Sequence, residues 1–182
     1  MTRKWLSVGI AVATSTGLLS ACSVQPAAGA ATPPAAPAAW LTTNARTKSV
    51  MWKVFAGENN GMNFNGDSKG QMIVTVPLNW RVTVKFVNTD NAQAHSAMIV
   101  RYADRTAVTI PETSVAFPHA STPDPTDGTS YGISQSFQFI ADKPGQFALV
   151  CGVPGHGAMG MWDTLLISKA AKTASIRTRG SH

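Results

Sequence analysis

Residues 151–162 of the 182-residue chain read Cys-Gly-Val-Pro-Gly-His-Gly-Ala-Met-Gly-Met-Trp. Five of its twelve residues are glycine or proline, which is typical of a loop. Alternating apolar residues precede it at 146–151 and follow it at 161–168. The pattern predicts two β-strands joined by this loop, with Cys151, His156 and Met161 on the loop or at its ends.

The same period-two alternation recurs through the middle of the chain. It predicts further strands at 50–55, 71–76, 81–86, 95–102 and 136–139. Beyond the N-terminal segment, no window of twelve or more residues carries a helical stripe. Seven or eight short strands in about 120 residues predict an all-β fold, a two-sheet antiparallel or mixed sandwich. The polar stretch 118–132 is expected to be an exposed excursion between strands.

The N-terminus has the pattern of an export signal. Arg3 and Lys4 precede an apolar run over residues 5–19, which is too short to span a bilayer. The run ends in Leu-Ser-Ala-Cys at Cys22, which is similar to a bacterial lipobox. Residues 1–21 are therefore predicted to be a signal peptide and Cys22 a lipidated residue; the alternative is an ordinary signal with a chance cysteine.

The prediction divides the rest of the chain into three parts. Residues 22–47, rich in alanine and proline, are predicted to be a lipid-anchored linker that lets the domain move over a membrane. Residues 48–168 are predicted to be the folded domain, and 169–182 a basic flexible tail. The protein is accordingly expected outside the cytoplasm, anchored to the cell membrane as a lipoprotein.

Charge and cysteine content exclude several classes of protein. The net charge is +6, but positions 50–168 carry seven Lys or Arg against nine Asp or Glu, a net charge of −2. A basic patch with interleaved aromatic residues is absent, so no nucleic-acid partner is expected. Two cysteines exclude a disulfide-dense scaffold. With Cys22 lipidated, Cys151 is a lone thiol in an oxidising compartment, which needs an explanation.

A metal site explains this thiol. Thiolate, imidazole and thioether are the ligands of a blue-copper centre, a trigonal His₂Cys plane with a weak axial Met. The second histidine must come from elsewhere in the chain, and His95, at the start of a predicted strand, fits. His119 lies in the long excursion and is expected to be solvated, and Met159 is expected at the loop tip.

At this point the domain resembles a known family. The Cys-x4-His-x4-Met spacing, the words Cys-Gly-Val-Pro-Gly-His and the segment Asn-Phe-Asn-Gly at 63–66 resemble cupredoxins of the sulfocyanin and rusticyanin branch. The resemblance covers roughly residues 50–168. It implies a cupredoxin fold that binds one copper ion, cycling between Cu(I) and Cu(II). It implies Ser96 as a neighbour of the thiolate and, as ligands, His95, Cys151, His156 and Met161.

The expected function is that of a membrane-tethered blue copper protein. It would carry single electrons between respiratory partners of the cytochrome or terminal oxidase type, docking weakly and transiently as a monomer, and would not be an enzyme. Aromatic residues, namely Phe137, Phe139, Phe147 and Trp162, are expected to exclude water around the metal. Three alternatives stay open: an extracytoplasmic copper chaperone or buffer, a Cys–His enzyme, and a metal-free sandwich.

Overall fold

A computed structural model describes residues 37–179, and within them the fold is all-β. Four short 3₁₀ turns accompany the strands, and this part of the chain contains no α-helix. No helix among residues 37–179 has the length and apolar character needed to cross a membrane. The strands are β1 (Leu41–Asn44), β2 (Ser49–Ala56), β3 (Met72–Pro77), β4 (Arg81–Asn88), β5 (Met98–Arg101), β6 (Ser134–Ile140), β7 (Gly145–Val150), β8 (Trp162–Ser168) and β9 (Ser175–Thr178).

The strands form two mixed sheets. One sheet has the order β1-β2-β4-β6 and the other the order β5-β7-β8-β3-β9. The β2–β4 and β3–β8 pairs are parallel, and the remaining pairs are antiparallel. The predicted two-sheet sandwich is confirmed, with nine strands in place of seven or eight.

The core lies on the inward faces of both sheets. Successive side chains of a strand point to opposite faces, so alternation in the sequence becomes one buried face. In β2 and β4 the buried face consists of Val50, Trp52, Val54, Val82, Val84 and Phe86, and in β3 of Met72, Val74 and Val76. Full burial of a large apolar side chain stabilises the fold by about 1.5–3 kcal/mol relative to exposure.

The folded domain is longer than residues 48–168. The predicted linker contains β1, in which Leu41 pairs with Trp52, and the predicted tail contains β9, in which Ile176 pairs with Val74. Each strand has only four residues and one large apolar side chain, so the sequence pattern did not identify it. The predicted signal at 1–21, Cys22 and residues 180–182 lie outside the described residues.

The connections around β5 also differ from the prediction. The strand begins at Met98, and His95 instead forms an isolated bridge with Thr129. A second isolated bridge joins Ser121 to Met98. The stretch 118–132 is therefore hydrogen-bonded to the domain near the start of β5. On the outer face of β5 and β7, Met98, Val100, Ala148 and Val150 are buried with Ile110 from the segment that follows β5.

Candidate metal centre

Cys151 and Met161 lie at the two ends of the loop between β7 and β8. Cys151 follows the last residue of β7, and its N–H donates to the Met161 carbonyl at 3.1 Å. The Met161 N–H donates to the His156 carbonyl at 3.0 Å. The side chains of Cys151 and Met161 are 1% and 0% exposed. The loop is thus closed by main-chain hydrogen bonds that fix both side chains inside the sandwich.

Three candidate ligand atoms converge at this end of the sandwich. The Nδ1 atoms of His95 and His156 are 3.2 Å apart, and Cys151 Sγ lies 3.4 Å from His156 Nδ1 and 3.9 Å from His95 Nδ1. A metal bonded at about 2.0 Å to nitrogen and about 2.3 Å to sulfur in a trigonal plane separates such atoms by about 3.5–3.7 Å. The arrangement therefore fits one metal ion.

A buried carboxylate holds the other nitrogen of His95. His95 Nε2 lies 2.9 Å from Asp90 Oδ2, and both side chains are 0% exposed. The Asp90 Oδ1 atom accepts the N–H groups of Ala92 at 2.7 Å and Gln93 at 3.2 Å. Burial raises the pKa of Asp90, but the hydrogen bonds from His95, Ala92 and Gln93 outweigh it, and the pKa lies below its ordinary value.

Ser96 connects the thiol to two neighbouring loops. Its N–H donates to Cys151 Sγ at 3.3 Å. Its hydroxyl donates to the Pro125 carbonyl at 2.7 Å and accepts the Gly152 N–H at 2.8 Å. The structure thus places Ser96 beside the sulfur, with the main-chain N–H as the closer group and the hydroxyl 3.8 Å from Cys151 Sγ.

Burial shifts the pKa values of two candidate ligands, with opposite consequences for metal binding. Burial raises the pKa of the Cys151 thiol despite the N–H groups of Ser96 and Val153. Burial and the neighbouring His95 lower the pKa of His156, so its imidazole is neutral over a wider pH range. A metal that binds here must therefore displace the thiol proton but meets an imidazole that is already able to coordinate.

Gly57 allows the His95 side of the site to close. The residue has φ +75°, and a Cβ there would lie 2.4 Å from Asp90 Cβ and 2.9 Å from the His95 ring. Glycine is the residue that meets both demands. The Gly57 N–H donates to the Asn63 carbonyl, so the Asn-Phe-Asn-Gly segment helps to hold this glycine against the site.

Most candidates taken from the sequence lie where the metal hypothesis needs them. His95, Cys151 and His156 come together, and buried Met161 is hydrogen-bonded through its main chain to Cys151 and His156. His119 is exposed, and Met159 is 54% exposed. The Sδ of Met159 is therefore in a different environment from that of Met161.

The aromatic residues expected around the metal pack against other aromatic residues. Phe147 precedes Cys151 by four strand positions, about 13 Å. It packs on Phe117, which stacks on Phe139, and Phe137 stacks on Phe139. Trp162 contacts Tyr102 edge-on and lies under the Arg105 guanidinium. For Phe147 the expectation of shielding the site is therefore wrong, because strand register carries it away from Cys151.

The sequence analysis did not identify two contributors to the site. One is Asp90, and the other is the Pro125 carbonyl from the stretch expected to be an exposed excursion. The local signal for Asp90 was its position in Asn-Thr-Asp-Asn at 88–91, a run typical of side-chain-stabilised turns, five residues before His95.

Known proteins are similar to a large part of the chain. A family model described as the sulfocyanin (SoxE) domain matches residues 35–176. A sulfocyanin from Sulfolobus acidocaldarius is 32% identical over 115 residues, which cover 60% of this chain and 57% of that protein. The chain therefore spans little more than half the length of that relative.

Two solved structures are also similar to the chain. One is the dithionite-reduced auracyanin from Roseiflexus castenholzii, with 24% identity, coverage of 66% of this chain and 97% of that chain, and a TM-score of 0.47. The other is rusticyanin from Thiobacillus ferrooxidans, with 20% identity, coverage of 71% and 88%, and a TM-score of 0.44.

Proposed function

Because the chain belongs to the sulfocyanin family of blue copper electron carriers, we propose that it works outside the cytoplasm, tethered to the cell membrane. It passes single electrons between respiratory partners of the cytochrome or terminal oxidase type and turns over no substrate. The observation that carries the electron-transfer role is the cluster of His95 Nδ1, Cys151 Sγ and His156 Nδ1, in which all three residues are buried.

The protein's own residues prepare the site for electron transfer. Copper, when bound, supplies a one-electron Cu(I)/Cu(II) couple that accepts this donor set in both oxidation states. The loop between β7 and β8 and the segment before β5 hold the three ligand atoms within 3.2–3.9 Å of one another. The ligands therefore need to move little when the copper changes its oxidation state. The Ser96 N–H withdraws electron density from the sulfur, which disfavours Cu(II). Burial keeps water out.

The ligand loop also offers a surface for a partner. His156 is 7% exposed, and beside it Pro154, Ala158 and Met159 face solvent. The Gly155 N–H donates to the carbonyl of Val108, which is 66% exposed and adds to the apolar area. No charged residue lies between positions 152 and 161. A small apolar surface suits transient redox contacts, which bury less than about 1,200 Å². It also suits a monomer that exchanges one partner for another.

The second candidate function is copper delivery or buffering. Exposed Met159 favours it, since a thioether at the surface can bind Cu(I) in transit. The four proposed ligands oppose it, because three are at most 1% exposed and the fourth is 7% exposed. The two functions differ in exchange rate. Transfer of copper to a chelator is expected to be much slower than electron exchange with a small redox mediator.

The decisive test is Cys151→Ser. The copper-loaded protein is expected to show an intense blue thiolate-to-copper charge-transfer band, and the serine variant is expected to lose it, because a hydroxyl oxygen cannot replace the thiolate. Absorption spectra of the two loaded proteins measure this. Met159→Leu is the control and keeps the band. A serine variant that retained the intense band would refute the proposed copper site.

A further inference from the structure

We infer that Asp90 is a positioning residue that fixes His95 for metal binding and whose charge lowers the reduction potential of the site. The inference rests on the proposed function and concerns a residue that supplies no ligand atom. It begins with the pair of His95 Nε2 and Asp90 Oδ2, 2.9 Å apart and fully buried.

The first step concerns the tautomer of His95. A carboxylate can only accept a hydrogen bond, so Nε2 must carry the proton that it shares with Asp90. In a neutral imidazole the lone pair then lies on Nδ1, the atom that faces His156 Nδ1 at 3.2 Å and Cys151 Sγ at 3.9 Å. Without Asp90, the ring could place its proton on Nδ1 and present no lone pair to a metal.

The second step concerns the rigidity of the carboxylate. Asp90 Oδ1 accepts two main-chain N–H groups, and the Asp90 N–H donates to Asn88 Oδ1 at 2.9 Å. The Asn88 amide donates at 2.8 Å to the carbonyls of both Gln93 and Thr129. Gly57 leaves no room for Asp90 to move toward β2. Hydrogen bonds within the turn therefore fix the Asp90 carboxylate, and the fixed carboxylate orients the His95 imidazole.

The third step concerns charge. Among residues 37–179, the Asp90 carboxylate contacts His95 and forms no ion pair with a Lys or Arg. A buried negative charge acts strongly at short range because the surroundings are weakly polarisable. It reaches the metal position through one imidazole ring, where it favours the more positive oxidised state. Asp90 thus opposes the Ser96 N–H, which favours the reduced state.

The test compares Asp90→Asn and Asp90→Ser with the unaltered protein at one fixed pH. Both variants remove the charge, and the serine hydroxyl can still accept the turn N–H groups while leaving His95 without its partner. In both, the affinity for Cu(I) relative to Cu(II) is expected to rise at least tenfold, read as a potential increase of about 59 mV or more. The matched control is Asp142→Asn, which removes an exposed carboxylate two residues after the end of β6.

A second readout needs no copper. Imidazole ¹⁵N spectra of the metal-free protein are expected to show His95 as one Nε2–H tautomer, and the Asp90→Ser variant as a mixture. Folded variants whose potential and tautomer both match those of Asp142→Asn would overturn the inference. If the unaltered protein forms no blue copper centre, the proposed function fails, and the ¹⁵N spectra still decide the role of Asp90.

Discussion

The two methionines that follow His156 differ in environment. Met161 is fully buried next to the sandwich end, and Met159 is 54% exposed. Met161→Leu is expected to keep the blue colour and raise the reduction potential, because a weak donor to Cu(II) is lost. Met161→Gln is expected to lower it, since an amide oxygen is a harder donor. Voltammetry on the domain measures both shifts.

Met159→Leu controls for the loss of a thioether from the same loop. It is expected to leave the potential unchanged, because its side chain faces solvent. A large shift in this variant, with none in the Met161 variants, would assign the axial position to Met159.

At the residue scale, the site residues that are close together in the sequence could be predicted, and most of those that only folding brings to the site could not. Cys151, His156 and Met161 lie in one short loop, so their chemistry could be read from spacing. His95 was identified because the ligand set needed a second imidazole. Asp90 was missed because its role depends on a ring position that only the tertiary structure defines. Pro125 was missed because a main-chain carbonyl leaves no signature in a side-chain pattern.

Among the described residues, strand β9 lies at the edge of its sheet and pairs with β3 alone. Truncation after Ala174 removes four residue pairs and the half-buried Ile176. We expect a loss of about 2–4 kcal/mol in the free energy of unfolding, from the lost hydrogen bonds and apolar burial. Urea denaturation of the copper-free domain measures it.

Removal of residues 180–182 alone is the matched control for this truncation and is expected to leave the unfolding midpoint unchanged. If truncation after Ala174 also left it unchanged, the segment would be the flexible tail that its composition predicted.

The loop between β2 and β3 carries two carboxyls with raised pKa values. Burial and nearby Asp67 raise the pKa of Glu58, and burial raises that of Asp67. The folded state therefore binds more protons than the unfolded state over the window just above their ordinary values of 4.5 and 3.8. This contribution to stability is present below those values and is lost as the pH rises through the folded-state pKa values.

Glu58→Gln is expected to reduce the pH dependence of the free energy of unfolding in this window. The change is expected to be less than about 1 kcal/mol, since the Glu58 carboxyl is only half-buried. Denaturation of the copper-free protein at several pH values between about 4 and 7 measures it. Glu112→Gln, at an exposed carboxyl, is the control. A profile that keeps its slope in the Glu58 variant would contradict the assignment.

The strands predicted from the sequence correspond to all those of residues 37–179 except β1 and β9. The strands of six to eight residues carry enough alternation to be recognised, as in β2 and β4, whose burial alternates along their length. The four-residue edge strands β1 and β9 do not, because one apolar residue cannot establish a period. Their pairing is decided by the long strands that they join, which a local pattern cannot show.

At the scale of the whole molecule, the proposed tether is open to a direct test. Cys22→Ala is expected to move the protein from the membrane fraction to the soluble fraction, because the proposed lipid attachment is lost, while it keeps its blue colour, because Cys22 is not a proposed ligand. Fractionation of cells that express the two forms, followed by absorption spectra, measures this. A variant that stayed with the membrane would refute lipidation at Cys22 as the anchor.

The distribution of the proposed ligands along the chain has a consequence for how the metal and the fold depend on each other. Three of the four lie between positions 151 and 161, whereas His95 lies 56 positions before Cys151. An unfolded chain therefore still offers a short Cys–His–Met chelate, and a ligand that also binds the unfolded state stabilises the native state less. Only His95 and the pre-set geometry distinguish the two states. Copper would therefore stabilise the native state by less than its affinity for the finished site alone implies.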